Sequence, residues 1–513
     1  MINDRGAHLL TLKRLFECAF RRYGTQTAIR YGGRDLTYAE LDERSARLAN
    51  GFRALGLESG SQVGILMENR PEFILAHIGA LRAGVTVVPL NCELNDRQVR
   101  SLLERSDIDV LTIDEAFFDV VRVIQREQGE LRHVIAHAED GTIPIGFHDL
   151  SELLYRADSS PPDIEIAPTD TAALYHTSGT TGNPKQVVHS HRALTLNCYA
   201  HVHELDIRQD ERMLLMTPLS HSAEPFARAG LAQGATVVLR QGFESAEVLT
   251  ALEREEITWT YLIPTMIGKL LDDETLSGVD TGALATVAYG AAPIPEPVLR
   301  DGIAEFGEVF VQFYGLTEVP NLISVLPKSE HDPDDSALAS AGYPTQLVEV
   351  TLLDIAADWA DDVGEIAVRS PYTLVEYAGD RRAYTEDGWL KTDDLGRIED
   401  GRLQVLDRIQ DVIVVDGEPV FSASVESAIQ HHPRVKQVAV IGVPGNDTDR
   451  TADQRVKAVV VPAEDATVEA EELREFCRDR LDDGLPESVD IVGRLPETPY
   501  GKIDKQALRD PYW

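Results

Sequence analysis

Residues 174–190 combine a loop rich in hydroxyls and glycines with a single lysine, a composition suited to binding a polyphosphate. Glycines let backbone N–H groups approach phosphate oxygens, hydroxyls donate hydrogen bonds, and Lys185 adds a positive charge. No Ser or Thr follows Lys185, so the segment differs from the GxxxxGK[ST] phosphate loop. The alternative interpretation is a surface loop rich in turn-forming residues. The loop residues concerned are Thr177, Ser178, Gly179, Thr180, Thr181 and Gly182.

A second motif, residues 312–318, follows a strand predicted at 309–313. Ligands of α/β sheets bind beyond the carboxyl ends of strands, so the motif stands where a site is expected. An aromatic ring can stack on adenine, a hydroxyl can contact phosphate, and a carboxylate can hold Mg²⁺. The alternative is a strand end with a glycine turn and a solvent-facing glutamate. The motif reads Gln312, Phe313, Tyr314, Gly315, Leu316, Thr317 and Glu318.

A lysine near the end of the chain, Lys502, lies in the segment 496–504 with a glycine directly before it and two prolines upstream. These neighbours favour a loop held in one shape. A cation in such a loop can offset the charge that builds on a pentavalent phosphorus, and preorganised electrostatic terms of this kind are often the largest in catalysis. The alternative interpretation is an ordinary surface lysine.

In their order and spacing, these motifs resemble those of the adenylate-forming superfamily, in its branch of acyl-CoA synthetases and AMP-dependent acid ligases. The resemblance extends from residue 36 to residue 502. It implies an α/β fold with a large N-terminal domain of several subdomains and parallel-rich sheets, residues 1–407. A small, mobile α+β C-terminal domain would follow, residues 408–513. It also implies an ATP-dependent ligase that forms an acyl or aryl adenylate and then a thioester of coenzyme A.

The resemblance assigns roles to the residues above. The loop from Thr177 to Lys185 would hold the β- and γ-phosphates of ATP. Tyr314 would lie beside adenine, Thr317 on the α-phosphate and Glu318 on Mg²⁺. Lys502 would bind the substrate carboxylate and the α-phosphate during adenylation.

Further motifs match the same family. Asp394, in the segment 388–396, would bind the ribose hydroxyls, where a carboxylate can accept two hydrogen bonds. Arg408 would contact ribose and phosphate just before the hinge, and Gly417 would line the pantetheine tunnel. His221 would position or gate at the entrance of the acyl pocket. Three small residues would line the nucleotide and acyl pocket: Gly290, Ala291 and Ala292.

The sequence also departs from the family pattern. Asp393 replaces a glycine beside the ribose position, Gln186 replaces the glycine after the loop lysine, and Gln410 stands at the hinge instead of Asp or Lys. Glu224 either faces the acyl pocket, where it would suit a substrate hydroxyl or amine, or faces solvent, the orientation we favour. These departures indicate a divergent member, suited to secondary metabolism.

Three functions remain open from the sequence. The first is an acid–CoA ligase for a small aromatic or medium-chain acid. The second is an adenylating enzyme with another second step: transfer to a carrier-protein thiol or an amine, or activation of nitrite towards an aryl amine. The third is a nucleotide-binding regulator without turnover, which the retained Lys185, Glu318 and Lys502 argue against.

The elements that must position these residues alternate between helix and strand. Thr37 and Glu40 have the spacing of a capping box, which predicts a helix that Gly56 ends. Pro71 is predicted to open a helix through Arg82. We expect strands at 62–67, 85–88, 110–113, 235–239, 258–262 and 309–313, and an α/β fold with a largely parallel sheet. The C-terminal strands are expected at 403–406, 412–415, 435–443 and 456–461, with helices at 424–430 and 471–481.

Composition limits the remaining possibilities. A length of 513 residues predicts at least two domains, at about 100–200 residues each. The net charge of −38 argues against a general nucleic-acid or anionic-membrane surface. Four widely spaced cysteines without a CxxC pair suit a reducing compartment and no zinc site. We expect no membrane insertion and a cytoplasmic location, with a small carboxylic acid as the partner and a homodimer left open.

Overall fold

The computed structural model describes residues 9–128, 131–176, 185–332, 336–354, 362–377, 384–445, 454–463, 466–478, 480–481, 484–497 and 503–513. Within these ranges the helices are α1 (Leu12–Tyr23), α2 (Tyr38–Ala54), α3 (Pro71–Ala83), α4 (Asp96–Leu103), α5 (Phe118–Gln128), α6 (Leu150–Arg156), α7 (His191–Glu204), α8 (Glu224–Gln233), α9 (Ser245–Arg254), α10 (Pro264–Leu271), α11 (Glu296–Phe306), α12 (Ser422–Gln430), α13 (Ala470–Arg478) and α14 (Lys505–Arg509). None of them is both long and apolar enough to cross a lipid bilayer.

One sheet of eight strands carries the base of the predicted phosphate loop. Its strands are β3 (Gln62–Leu66), β4 (Thr86–Pro89), β5 (Val110–Asp114), β6 (His133–His137), β7 (His148–Asp149), β8 (Thr171–His176), β9 (Gln186–Ser190) and β19 (Glu376–Tyr377). The order is β19-β9-β8-β4-β3-β5-β6-β7. Its centre is parallel, whereas β8–β9 and β9–β19 are antiparallel. The strands β8 and β9 therefore bring both ends of the loop, His176 and Gln186, opposite each other.

A second sheet of nine strands carries the motif at 312–318. Its strands are β1 (Thr27–Tyr31), β2 (Arg34–Thr37), β10 (Arg212–Leu215), β11 (Thr236–Leu239), β12 (Trp259–Leu262), β13 (Thr286–Gly290), β14 (Phe310–Leu316), β15 (Val319–Leu326) and β16 (Tyr343–Pro344). The order is β16-β15-β14-β13-β12-β10-β11-β1-β2. The six strands from β14 to β1 are parallel, as expected for strands joined through helices.

Two smaller sets of strands complete the chain. An antiparallel sheet in the order β17-β18-β20-β21 holds Asp394 and Arg408. Its strands are β17 (Glu349–Leu353), β18 (Gly364–Arg369), β20 (Leu390–Glu399) and β21 (Arg402–Arg408). The C-terminal part has the hairpin β22 (Ile413–Val415) and β23 (Glu418–Val420), and the sheet β24 (Val435–Pro444), β25 (Gln454–Pro462) and β26 (Ser488–Ile491).

The predicted fold class is confirmed, and the local predictions hold closely. The capping box forms, because the Thr37 side chain accepts from the Glu40 N–H while the Glu40 carboxylate accepts from the Thr37 N–H. The helix α3 begins at Pro71, as predicted. The sequence missed the four-stranded antiparallel sheet, of which only β21 was predicted as a strand.

The main core lies between the two large sheets and the helices α1, α2, α3, α7 and α8. Phe226 on α8 is its aromatic centre, with ring centroids 4.8 Å from Tyr261, 5.3 Å from Phe313 and 5.4 Å from Trp259. All four rings are buried. This packing anchors β14 in the core directly next to the predicted nucleotide motif.

Burial lowers the pKa of five histidines to about 4: His176, His189, His191, His201 and His331. An unfolded histidine titrates near pH 6.5, so on acidification the unfolded chain binds protons before the native state does. The contribution of these histidines to the free energy of unfolding is therefore at its full value above about pH 6.5. It decreases as the pH falls towards 4. Each contributes a slope of at most about 1.4 kcal/mol per pH unit.

We therefore expect His201→Leu to flatten the acid limb of the stability profile. His201 lies edge-on to Phe226, and its Nδ1 is 2.9 Å from the Asn197 carbonyl oxygen. The thermal midpoint, measured by scanning fluorimetry between pH 7.5 and 5, should fall less in the variant than in the wild type. The exposed His203 on the same helix supplies the matched control, His203→Leu. Parallel profiles for the wild type and His201→Leu would contradict the prediction.

Candidate active site

Three residues predicted for the nucleoside end of the site lie together. The Tyr314 hydroxyl donates to Asp394 Oδ2 at 2.6 Å, and Arg408 Nε is 3.7 Å from Asp394 Oδ1. Burial and the neighbouring Asp394 carboxylate raise the pKa of Tyr314 well above its ordinary value, so the phenol stays a donor. Each carboxylate oxygen can accept two hydrogen bonds, so Asp394 keeps acceptor capacity for a diol.

The strand β14 sets which side chains of the motif face this group. Successive side chains alternate across a strand, and Phe313 is the one that points into the core. Because the Phe313 ring is buried, only its backbone is available to contact a nucleotide. Gly290 is paired with Phe313 in register, and a Cβ at Gly290 would collide with the Phe313 carbonyl oxygen. Gln312 accepts from the Tyr289 hydroxyl at 3.3 Å.

Thr317 and Glu318 form the turn between β14 and β15, and the backbone of this turn is held from two sides. The Thr317 carbonyl accepts from His189 Nε2 at 2.8 Å, and the Glu318 carbonyl accepts from the Leu374 N–H at 2.7 Å. The Glu318 carboxylate accepts from the Tyr377 hydroxyl at 2.7 Å. Both predicted ligands of the phosphate and metal thus stand on a turn with a fixed backbone.

Lys185 stands at the described end of the phosphate loop. Its Nζ lies over the Tyr377 ring, 5.0 Å from the ring centroid. The next residue, Gln186, has its Nε2 3.3 Å from His176 Nε2, so the residue that replaces the family's glycine pairs with the other end of the loop. The predicted ligands Thr177, Ser178, Gly179, Thr180, Thr181 and Gly182, and also Lys502, lie outside the described residues.

The remaining predicted residues occupy turns. His221 lies half-buried in a turn whose backbone is fixed on both sides by asparagines: Leu219 N–H donates to Asn69, and Asn321 donates to the Ser222 carbonyl. Ala291 has a positive φ of 67° at the end of β13, where it is exposed together with Ala292. Gly417, with φ 87°, is exposed at the tip of the β22–β23 hairpin.

Asp393 preserves the turn although it replaces a glycine. Its φ of 61° is in the left-handed region, which Asp tolerates better than most residues. Its N–H donates to Glu365 Oε1 at 3.3 Å, and Glu365 is in turn paired with Lys391 at 2.7 Å. The exposed Asp393 carboxylate therefore lies one residue from Asp394, as the sequence indicated.

The expectation that Glu224 faces solvent is wrong. Glu224 is 5% exposed and forms an ion pair with the buried Arg228, one helical turn along α8, at 2.8 Å. Tyr175 donates to the Glu224 carboxylate at 3.0 Å, and Arg228 donates to Asn197 at 3.1 Å. Because a neutralising guanidinium is available on the same helix, the carboxylate is stable in the core and has no need of solvent or a substrate group.

Sequence reasoning missed two residues that contact the site. Tyr377 belongs to no motif that spacing alone would single out. His189 offered a signal, since it stands at a buried position of β9, four residues after Lys185, where a polar side chain requires a hydrogen-bond partner. Its partner proved to be the Thr317 backbone.

Comparison with known proteins identifies the family. Residues 16–378 match the family "AMP-binding enzyme", and residues 424–502 match "AMP-binding enzyme C-terminal domain". A feruloyl-CoA synthase of an Amycolatopsis species is 35% identical over 492 residues, which cover 94% of this chain and 95% of that protein. The medium/long-chain-fatty-acid–CoA ligase FadD8 of Mycobacterium tuberculosis is 32% identical, with coverages of 96% and 89%.

A solved structure agrees. The amide bond synthetase McbA from Marinactinospora thermotolerans superposes with a TM-score of 0.87 at 28% identity, covering 98% of this chain and 100% of McbA. The chain therefore belongs to the AMP-binding enzyme family, the adenylate-forming enzymes. Within that family it is an AMP-forming acid–CoA ligase, as the motifs predicted.

The buried ion pair generates a prediction. Arg228→Met removes the guanidinium and leaves the buried Glu224 carboxylate with the neutral Tyr175 donor and with His77, 3.6 Å away, which costs about 3–5 kcal/mol. We expect a large fall in the thermal midpoint, with substantial recovery in the double variant Glu224→Leu/Arg228→Met, because no buried charge remains there. The pair Glu296–Arg300 has the same helical spacing but is about 40% exposed, so Arg300→Met is the matched control. It should cost about 1 kcal/mol or less. A single Arg228→Met variant as stable as this control would contradict the prediction.

Proposed function

We propose that the protein joins an aryl-substituted carboxylic acid to coenzyme A in two steps. In the first step a substrate carboxylate oxygen attacks the α-phosphorus of ATP, the bond to the β-phosphate breaks, and pyrophosphate leaves. In the second step the CoA thiolate attacks the carbonyl carbon of the acyl adenylate and AMP leaves. The observation that carries the proposal is the Tyr314–Asp394–Arg408 group, in which side chains from β14, β20 and β21 form one polar subsite.

The described residues suit the nucleotide. Asp394 would accept from the ribose hydroxyls, and Arg408, which is half-exposed, can turn its guanidinium towards a phosphate. Lys185 would offset the negative charge of the terminal phosphates. His189 binds the Thr317 carbonyl, so the turn leaves the Thr317 side chain free for the nucleotide. His221 would gate the acid, Gly417 would contact pantetheine, and Lys502 would bridge carboxylate and α-phosphate.

Glu318 suits a Mg²⁺ ion that ATP also holds. Mg²⁺ is commonly bound through one or two carboxylates together with substrate phosphates, and among the described residues no group of three His, Cys, Asp or Glu side chains converges as a full metal cage. A Mg²⁺ ion here would neutralise charge on the phosphate oxygens. The half-buried Glu318 carboxylate, fixed by Tyr377, would supply the protein ligand.

The choice of an aryl acid is supported by the relative named feruloyl-CoA synthase, which aligns over nearly the whole of both chains. A fatty acid is the alternative, since FadD8 is almost as similar. CoA as acceptor has the same support from both relatives. The likeness to McbA gives amide formation weak support as an alternative second step.

An acid panel separates these choices. In a pyrophosphate-release assay we expect kcat/KM for ferulate and 4-coumarate to exceed that for decanoate by about tenfold or more, because a closed pocket discriminates by shape and by satisfied polar groups. Pyrophosphate release over many turnovers should be faster with CoA than without it, because CoA removes the acyl adenylate as the thioester. Equal release with an amine in place of CoA, or a preference for decanoate, would contradict the proposal.

Lys502→Ala should separate the two half-reactions. Removing the cation withdraws charge stabilisation from the phosphorus centre, so we expect adenylation to fall by about 100-fold or more. Thioester formation from synthetic acyl adenylate should stay within about threefold of the wild type, because no phosphorus bond breaks between these reactants. The exposed Lys436 on β24 provides the control, Lys436→Ala. Equal losses in both half-reactions would argue against this role.

A further inference from the structure

Tyr377 lies between Lys185 and Glu318, the two charged residues that we propose face ATP. Tyr377 is the last residue of β19 and pairs with Val187 of β9. Its hydroxyl donates to Glu318 Oε1 at 2.7 Å, while its ring lies under the Lys185 ammonium at 5.0 Å. The ring face of Tyr377 thus contacts Lys185, the predicted ligand of the phosphates. Its hydroxyl contacts Glu318, the predicted ligand of Mg²⁺.

The backbone around Tyr377 is fixed to the same two elements. The Leu374 N–H donates to the Glu318 carbonyl at 2.7 Å, and the Val375 N–H donates to the Val188 carbonyl at 2.8 Å. Tyr384 supports this segment, since its hydroxyl donates to the Leu374 carbonyl at 2.6 Å. These backbone hydrogen bonds to Glu318 and Val188 help to fix the position of the Tyr377 ring, in addition to its own two side-chain contacts.

The phenol of Tyr377 is chemically suited to lie between the Glu318 carboxylate and the Lys185 ammonium. The hydroxyl donates to the Glu318 carboxylate at 2.7 Å, so the phenol orients that carboxylate without bringing a charge to it. The electron-rich ring face attracts the ammonium without neutralising it. Among the described residues, no ion pair joins Lys185 to Glu318. A direct pair between them would consume the two charges that phosphate and metal require.

We propose that Tyr377 is a positioning residue that couples metal binding to ATP binding, by holding the Glu318 carboxylate and the Lys185 ammonium apart and oriented. The inference rests on the proposed roles of these two residues. With the hydroxyl removed, the carboxylate loses its fixed orientation and its match to a metal on the phosphates. With the ring also removed, the ammonium loses its support and can pair with Glu318.

The test measures ATP binding by isothermal titration calorimetry on the full chain without acid substrate, once with Mg²⁺ and once with EDTA. Tyr377→Phe keeps the ring, so we expect metal-free ATP affinity within about twofold of the wild type. We expect the strengthening that Mg²⁺ gives to fall by about tenfold, the effect of losing a hydrogen bond to a charged group. Tyr377→Leu should weaken metal-free binding as well.

Tyr384→Phe is the matched control, because it removes a hydroxyl from the same segment whose hydrogen bonds to described residues go to the Leu374 carbonyl and the Thr373 hydroxyl and not to Glu318. It should keep the Mg²⁺ effect of the wild type. An equal loss in Tyr384→Phe would overturn the proposal in favour of general loosening of the segment, and a wild-type Mg²⁺ effect in Tyr377→Phe would overturn it directly. Should Tyr377→Leu fail to fold, the two phenylalanine variants still decide.

Failure of the underlying roles would look different. A wild type whose ATP binding is the same with Mg²⁺ and with EDTA, together with unchanged ATP affinity in Lys185→Ala, would refute the assignments of Glu318 and Lys185 themselves. A wild type that responds to Mg²⁺, with Tyr377→Phe responding equally, refutes the coupling alone.

Discussion

The burial of Phe313 in the aromatic core is the contact on which the nucleotide site depends. Its ring packs between Phe226 and Tyr261, two rings that are themselves buried. Strand side chains alternate with a period of two, so one fixed residue decides the facing of its direct neighbours on β14, up to the irregularity that follows Tyr314. With Phe313 turned inward, Tyr314 faces the other way and reaches Asp394. A slip of one residue would exchange the two rings and remove the polar subsite.

From that anchor the site is built outward by polar contacts to backbone. The turn after β14 is held by His189 through the Thr317 carbonyl and by Leu374 through the Glu318 carbonyl. Asn197 adds a further contact, since its amide donates to the Pro320 carbonyl at 2.8 Å. Asn197 also accepts from Arg228, so a single amide connects the buried ion pair on α8 to the start of β15, directly after the turn. The polar groups in this part of the core therefore support the site although they are covered by apolar residues.

The sequence predicted those features that depend on local chemistry or short motifs. The capping box of α2, the start of α3 at Pro71 and most strands of the parallel sheets follow from side-chain type and period, and the structure confirms them. It also predicted that Tyr314, Asp394 and Arg408 belong to one site, although about eighty residues separate the first two. The roles of the site residues, the boundary between residues 407 and 408, the homodimer and the cytoplasmic location remain predictions.

What the sequence could not give depends on partners far apart in the chain. The orientation of Glu224 is decided by Arg228 and by Tyr175, 49 residues earlier, and a helical period read on α8 alone cannot distinguish a buried pair from a solvated face. The same holds for His189 and Tyr377, whose partners are 128 and 59 residues away. Gln186 looked like a defect in the phosphate motif, yet its partner His176 stands at the other end of the same loop. A departure from a motif can thus be compensated by a neighbour that the motif does not include.

The same reasoning applies to Gln410, which the resemblance places at a hinge where the family carries Asp or Lys. Its backbone carbonyl accepts from Arg509 at 2.7 Å, and Arg509 also pairs with Asp411. Asp407 makes one contact that spans this position, since its carboxylate accepts from both the Ser422 N–H and the Ser422 hydroxyl at 2.6 Å. His431 and Glu296, whose Nε2 and Oε2 are 3.9 Å apart, make another. Lys505 donates to the same hydroxyl and pairs with Glu426. A rotation about residue 410 must break the Asp407–Ser422 bonds, whereas the Lys505 and Arg509 contacts move with the C-terminal part. If the C-terminal part rotates there, as the resemblance implies, the Asp407–Ser422 bonds resist the rotation without involving the side chain of residue 410.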